Sequence, residues 1–227
     1  MKIDLKAWLG LVLIAAGLTM SLHYFNNPVQ RYINEKYPWS TAAKEVDVRK
    51  SIRKNLIRGL KKYKRKWRRR TINRVVNVLY TGQKKYKIHA NIILGIISIE
   101  SRYRVYAIGR NRRSSDWGLT QINDINWYRL SRVSHRILRK KKIYYHRTSK
   151  YDIATNIMNC YVYLNWSRSV LKKKRDFRLK RWIQSYNTGI SGSVSKKRGY
   201  VIARFKYWNK FVFAMKNYRL FYTAQVL

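Results

Sequence analysis

Acidic residues are what this chain has least of: nine Asp and Glu stand against fifty-two Lys and Arg, a formal charge of +43 over 227 residues. That imbalance goes far beyond what solubility needs and predicts an anionic partner or surface. One cysteine, Cys160, excludes an intrachain disulfide framework. A secreted location stays open, without a covalent staple. The four histidines, His23, His89, His135 and His146, show no metal-ligand spacing. No metal site and no cofactor is expected. There are only two prolines, Pro28 and Pro38, and both fall within residues 26–43. They disfavour continuous helix there and mark a connector.

On its N-terminal side the connector is preceded by an apolar segment. Lys2 and Lys6 lead into an uncharged run, Ala7 to Leu22. Its length is about 24 Å at ~1.5 Å per residue. That is slightly short of the roughly 20 residues that span hydrocarbon, and Tyr24 and Phe25 extend it into the interface. A cleavable signal peptide is the alternative. Bulky Met20, Leu22 and Tyr24 occupy the place of a cleavage site, which favours an uncleaved signal anchor over residues 1–25. Membrane contact is expected through residues 7–25.

Beyond the connector the chain turns basic. Val48, Ile52, Leu56, Leu60, Tyr63 and Trp67 recur at steps of three or four, one stripe of a helix over residues 44–70. Thirteen of the twenty-two residues from Arg49 to Arg70 are Lys or Arg. Such a helix lies on an anionic membrane, contacts an anionic polymer or nucleic acid through residues 49–70, or docks on its own domain. The pattern does not choose among these.

Residues 71–100 open the main domain. Ile72, Val75, Val76, Leu79 and Tyr80 keep helical spacing, and Thr81-Gly82-Gln83 predicts a stop. The run Ile92 to Ile99 suits a buried strand or a buried helix; periodicity alone does not decide. It ends in a carboxylate, Glu100. Burial at the end of such a run raises a carboxyl's pKa and keeps it protonated near neutral pH. A protonated carboxyl can act as a general acid. The positive charge around it acts the other way. An apolar wall must outweigh that field, and Ile96, Ile97 and Trp117 are the candidates for it.

Three strings occur in order: Glu100-Ser101, Gly118-Leu119-Thr120-Gln121-Ile122-Asn123, and Ser185-Tyr186-Asn187-Thr188-Gly189. Together they resemble the lytic transglycosylase family with a lysozyme-like catalytic domain. Its hallmarks are Glu-Ser, Gly-Leu-Met-Gln and Ala-Tyr-Asn-x-Gly. Ala107-Ile108-Gly109-Arg110-Asn111 and the Asp116-to-Asn123 string look most like the small transglycosylases of secretion systems, pili and phage virions. Asn156, Ile157, Tyr163 and Leu164 match a further family helix, in which Cys160 replaces the usual Gly; a buried structural Cys is expected there. Thr120 replaces the usual Met.

The resemblance implies a mostly α, lysozyme-like transglycosylase domain over residues 71–227, behind the membrane anchor (1–25) and a connector with the basic amphipathic helix (26–70). It makes the 92–99 run a helix. It implies a peptidoglycan lytic transglycosylase cleaving the MurNAc–GlcNAc bond, with Glu100 as acid and then base and a 1,6-anhydro product. Ser101, Asp116, Gly118, Thr120, Gln121, Tyr186 and Asn187 are the expected substrate-binding residues, Tyr186 also orienting Glu100 through its hydroxyl. Asp116 has two other readings, as a brace for the following turn or as the second acid of a lysozyme-type hydrolase. The partners implied are peptidoglycan glycan strands, at a membrane facing the periplasm or cell wall, or in a phage virion. Cations interleaved with Trp and Tyr also fit a basic nucleic-acid-binding protein. A retained fold without activity is a third reading, which Thr120 and Cys160 leave open. Ser191 to Gly199 reads as a loop and Ala203 to Tyr222 as a last helix.

Overall fold

The computed structural model describes residues 45–111 and 114–217. The expected anchor at 1–25 and the expected connector at 26–43 lie outside the described residues. Among the described residues no helix is long and apolar enough to cross a membrane.

Two buried helices organise the domain. The first is α3, Ala90–Glu100, apolar on every side from Ile92 to Ile97. It is enclosed by α1 (Glu45–Lys62), α2 (Arg69–Tyr86), α5 (Ile153–Lys173) and α7 (Arg198–Asn217). That enclosure explains why the run lacks a polar face. β-Branched Ile is tolerated because burial outweighs its small helix penalty. The second buried helix is α5, against α2, α4 (Asp124–Lys140) and α6 (Leu179–Val194). Asp152 caps it, accepting a bond from Thr155 N at 2.8 Å.

Three close approaches fix the packing. Gly59 of α1 lies under the buried Tyr103, Gly82 of α2 under the Tyr161 ring, and Gly95 of α3 under Phe211 and Met215 of α7. Gly82 therefore does not stop α2, as its sequence neighbourhood predicts; the helix runs on to Tyr86 and ends at Lys87, φ 53°. The missing side chain is room for a neighbour's ring.

The basic helix also ends earlier than its stripe predicts. Lys64 adopts φ 52°, and Arg65 N bonds back to Leu60 O at 2.8 Å, closing α1 at Lys62. Tyr63 and Trp67 lie beyond it, yet both rings meet Tyr103. Ile52, Leu56 and Leu60 are buried on α2 and α3. Asn55 Nδ2 donates to Asn91 Oδ1 at 3.0 Å, and the Tyr63 and Ser98 hydroxyls meet at 2.7 Å. The stripe of α1 thus docks on its own domain, its cations outside.

The arginine-rich segment after Glu100 leads into a small antiparallel sheet, an addition to the helical expectation. β1 (Ile108–Asn111) pairs with β2 (Ser114–Trp117), and β2 with β3 (Ile122–Asn123). The last helix starts at Arg198 rather than Ala203. Most of the expected 191–199 loop is absorbed into α6 and α7, leaving Ser195 to Lys197 between them. α6 kinks at Gly189, φ 69° and ψ 170°, values that glycine tolerates best.

Candidate active site

Glu100 ends α3, where the chain folds back through two left-handed residues, Arg102 (φ 51°) and Tyr103 (φ 62°). Such conformations cost on the order of 1–3 kcal/mol each outside glycine. Burial of the Tyr103 ring holds them, with its Oη donating to Leu94 O at 3.3 Å. Ser101 is wholly buried and donates its hydroxyl to Ile97 O. The turn thus presents Glu100, half-buried, at the edge of the core.

Burial pushes the Glu100 carboxyl up to about 7. The Asp116 charge adds to the rise, while a hydrogen bond from Tyr207 and the charge of Lys210 oppose it. Of the three candidates for the apolar wall, Ile96 and Ile97 have no exposed surface, while Trp117 is half-buried and donates its ring N–H to Asp124 Oδ1 at 2.6 Å. Burial outweighs the surrounding positive field, because cations held in water are screened and desolvation is not.

The hydroxyl on Glu100 is a correction to the sequence expectation. Tyr207 Oη of α7 donates to Glu100 Oε1 at 2.8 Å. Tyr186 lies close enough to feel the carboxylate, but its hydroxyl donates to Thr120 O at 2.7 Å. Its ring packs edge-on against Tyr163, beside Ile122, Trp127 and Leu130. Tyr186 therefore ties α6 to the turn after β2.

That turn is built on Asn156 of α5. Gly118 has φ 75°, and a Cβ there would stand 2.3 Å from Asn156 Nδ2. Asn156 Oδ1 accepts from Thr120 N at 2.8 Å and from Thr120 Oγ1 at 2.7 Å. Its Nδ2 donates to Trp117 O and Lys150 O, each at 3.0 Å. Gln121, φ 52°, spends its amide on Ala107 O (3.0 Å) and Gly118 O (2.8 Å). Two expected sugar contacts are thereby corrected. Thr120 and Ser101 have no exposed surface to offer a ligand; both brace the scaffold, since a buried hydroxyl must find protein partners.

Asp116 of β2 faces Asn123 of β3 and accepts from its Nδ2 at 2.8 Å. This is the bracing geometry. Its charge is also near enough to act on Glu100. Asn187 is exposed, two residues before the α6 kink. Cys160 is fully buried, and burial pushes its thiol up. Among the described residues no three His, Cys, Asp or Glu gather into a group that could hold a metal ion.

Tyr207 and Asn156 are the two residues whose roles the motifs understate. Tyr207, Phe211, Ala214 and Met215 are all buried at steps of four, three and one. A tyrosine on that otherwise apolar stripe was the available signal for the first.

The domain thus holds one candidate general acid, a carboxyl of raised pKa at the end of a buried helix. The sequence model of the Transglycosylase SLT domain matches residues 78–208. That span is more than half of the chain, and the chain belongs to this family, lytic transglycosylases acting on peptidoglycan. Neither a curated protein nor a solved structure matches it.

Proposed function

We propose that Glu100 cleaves the MurNAc–GlcNAc bond of peptidoglycan, first as acid and then as base. The observation that carries this is a half-buried carboxyl raised to about 7, held at 2.8 Å by a tyrosine hydroxyl. That pKa suits proton transfer in both directions near neutral pH. The protonated carboxyl gives its proton to the glycosidic oxygen, which leaves with the bonding electron pair. The resulting carboxylate takes the proton of the substrate's own 6-hydroxyl. That oxygen then bonds to the anomeric carbon, closing a 1,6-anhydro ring. Glu100 ends protonated as it began, and no water is consumed. Of the expected contacts, Gly118 and Gln121 shape the turn that Tyr186 ties to α6, and Asn187 is exposed where a glycan can reach it. Glu100→Gln is expected to stop release of muropeptides from sacculi while the chain stays folded by circular dichroism; undiminished release refutes the assignment.

A lysozyme-type hydrolase is the second reading, favoured by the Asp116 charge acting on Glu100. The bond from Asn123 and the bracing position of Asp116 weigh against it. The strings at 107–111 and 116–123 further point to the small transglycosylases of secretion systems, pili and phage virions. With residues 1–25 as an uncleaved anchor, the domain faces the periplasm or cell wall; packaging in a virion is the alternative. Resistance of the full chain to alkaline extraction from membranes supports the anchor, and complete release counts against it.

A further inference from the structure

A groove of about 1010 Å³ lies between the start of α1, α2 and the end of α4. None of the residues around Glu100 lines it. Arg70, Lys84 and Lys85 of α2 and Lys140, Lys141 and Lys142 at the end of α4 and just past it do. Among the described residues none of these six forms an ion pair. Two further cations of the lining are already engaged. Arg49 holds Glu45, the one acid of the groove, at 2.7 Å, and Arg74 reaches Asp152 at 3.5 Å. A concavity lined by one sign of charge focuses potential and draws the opposite sign.

The lining carries more than charge. Asn73 and Asn77 accept from Arg53 and Arg49 through their oxygens. That orientation turns their NH₂ groups into donors for another acceptor. Tyr80 and Tyr144 stand in the wall, each with a guanidinium over its ring, and Tyr144 is mostly exposed.

We propose that this groove is a second binding site, and that it takes a single strand of nucleic acid. The strand's phosphates meet the six cations and the asparagine amides, and a base stacks on Tyr144. A membrane surface does not enter a concavity, and an anionic polymer without bases leaves the rings unused. The cations come together only in the folded domain, because α2 and α4 both pack on α5. The site is therefore not the basic helix by itself. It stands independently of the role of Glu100.

The test uses the full chain and a fluorescein-labelled oligothymidylate, followed by anisotropy against salt. The triple variant Lys140→Gln, Lys141→Gln, Lys142→Gln removes groove charge. Lys50→Gln, Lys54→Gln, Lys61→Gln removes the same charge from another face of α1. The groove variant is expected to flatten the log–log salt slope by about 2, at about 0.7 per lost phosphate contact; the control variant should leave it nearly unchanged. Tyr144→Ala is expected to weaken binding about tenfold at constant slope. Equal slope losses in the two triple variants overturn the groove. Wild-type binding by Tyr144→Ala, or competition by inorganic polyphosphate or anionic phospholipid vesicles as strong as by unlabelled oligothymidylate, overturns nucleic acid as its ligand. Sacculus digestion by the same preparations separates the two sites. A preparation that digests sacculi but ignores the oligonucleotide removes only this proposal, and the reverse removes only the Glu100 assignment.

Discussion

Tyr207→Phe isolates the one side-chain hydrogen bond that opposes the raised pKa of Glu100. The hydroxyl donates to Oε1 at 2.8 Å and favours the ionised form. Removing it leaves burial and the Asp116 charge with less opposition, so the pKa must rise from its value of about 7. A hydrogen bond to a charged group is worth about 1.5–3 kcal/mol net, or about 1–2 pH units at ~1.36 kcal/mol per unit. Phe keeps the ring and the packing on α3, so the fold should survive. An enzyme whose Glu must be protonated to start loses kcat/KM on the alkaline side as the free enzyme's acid ionises. The assay is the pH dependence of muropeptide release. The alkaline limb should move up by at least about one unit, even if the plateau falls through lost orientation. An unmoved limb, or one that moves down, would refute Tyr207 as the group that lowers the Glu100 pKa.

Asp116→Asn should do the opposite, because it removes a charge that raises Glu100: the alkaline limb moves down while anhydro products persist, and loss of all products would instead favour the hydrolase. Glu100→Gln should stabilise the domain above neutrality. The folded carboxyl titrates above its ordinary 4.5, so the stability it contributes is complete below about 4.5 and lost as pH rises through about 7. Denaturant midpoints should therefore show a gain of up to about 3 kcal/mol at pH 8 and almost none at pH 4; a pH-independent difference contradicts the burial account. Thr120→Val removes the buried hydroxyl bonds to Asn156 Oδ1 and O while leaving the bond from Thr120 N, and should cost about 1–3 kcal/mol in urea unfolding; a neutral result would mean the hydroxyl does not brace the turn. Gly118→Ala places a Cβ 2.3 Å from Asn156 Nδ2 at φ 75° and should cost at least about 2 kcal/mol, read as a lowered Tm together with lost activity.

Much of the site was legible because the chain is so poor in acids. A single carboxylate closing an apolar run draws attention to Glu100, and three short strings in order supply its company. The helix at Ala90–Glu100 was legible only through the resemblance, since an isoleucine run has no face to count. What escaped the sequence was set by distant partners. Tyr207 is 107 positions from Glu100, one tyrosine among nineteen. Thr120 turns inward because Asn156, 36 positions on, waits there. Gly82 reads as a stop until the Tyr161 ring is laid over it. The basic stripe predicts a helix through Trp67, but a left-handed Lys64 ends it while Tyr63 and Trp67 still reach Tyr103. Tertiary packing decided each of these, and local pattern does not encode it.

The reaction itself is tested most directly by digesting sacculi with the full chain in heavy-oxygen water and weighing the muramyl ends. Ring closure by the sugar's own hydroxyl predicts anhydro ends, one water lighter than hydrolysed ones and free of solvent oxygen, and none at all from Glu100→Gln. Reducing ends carrying the heavy oxygen would contradict it.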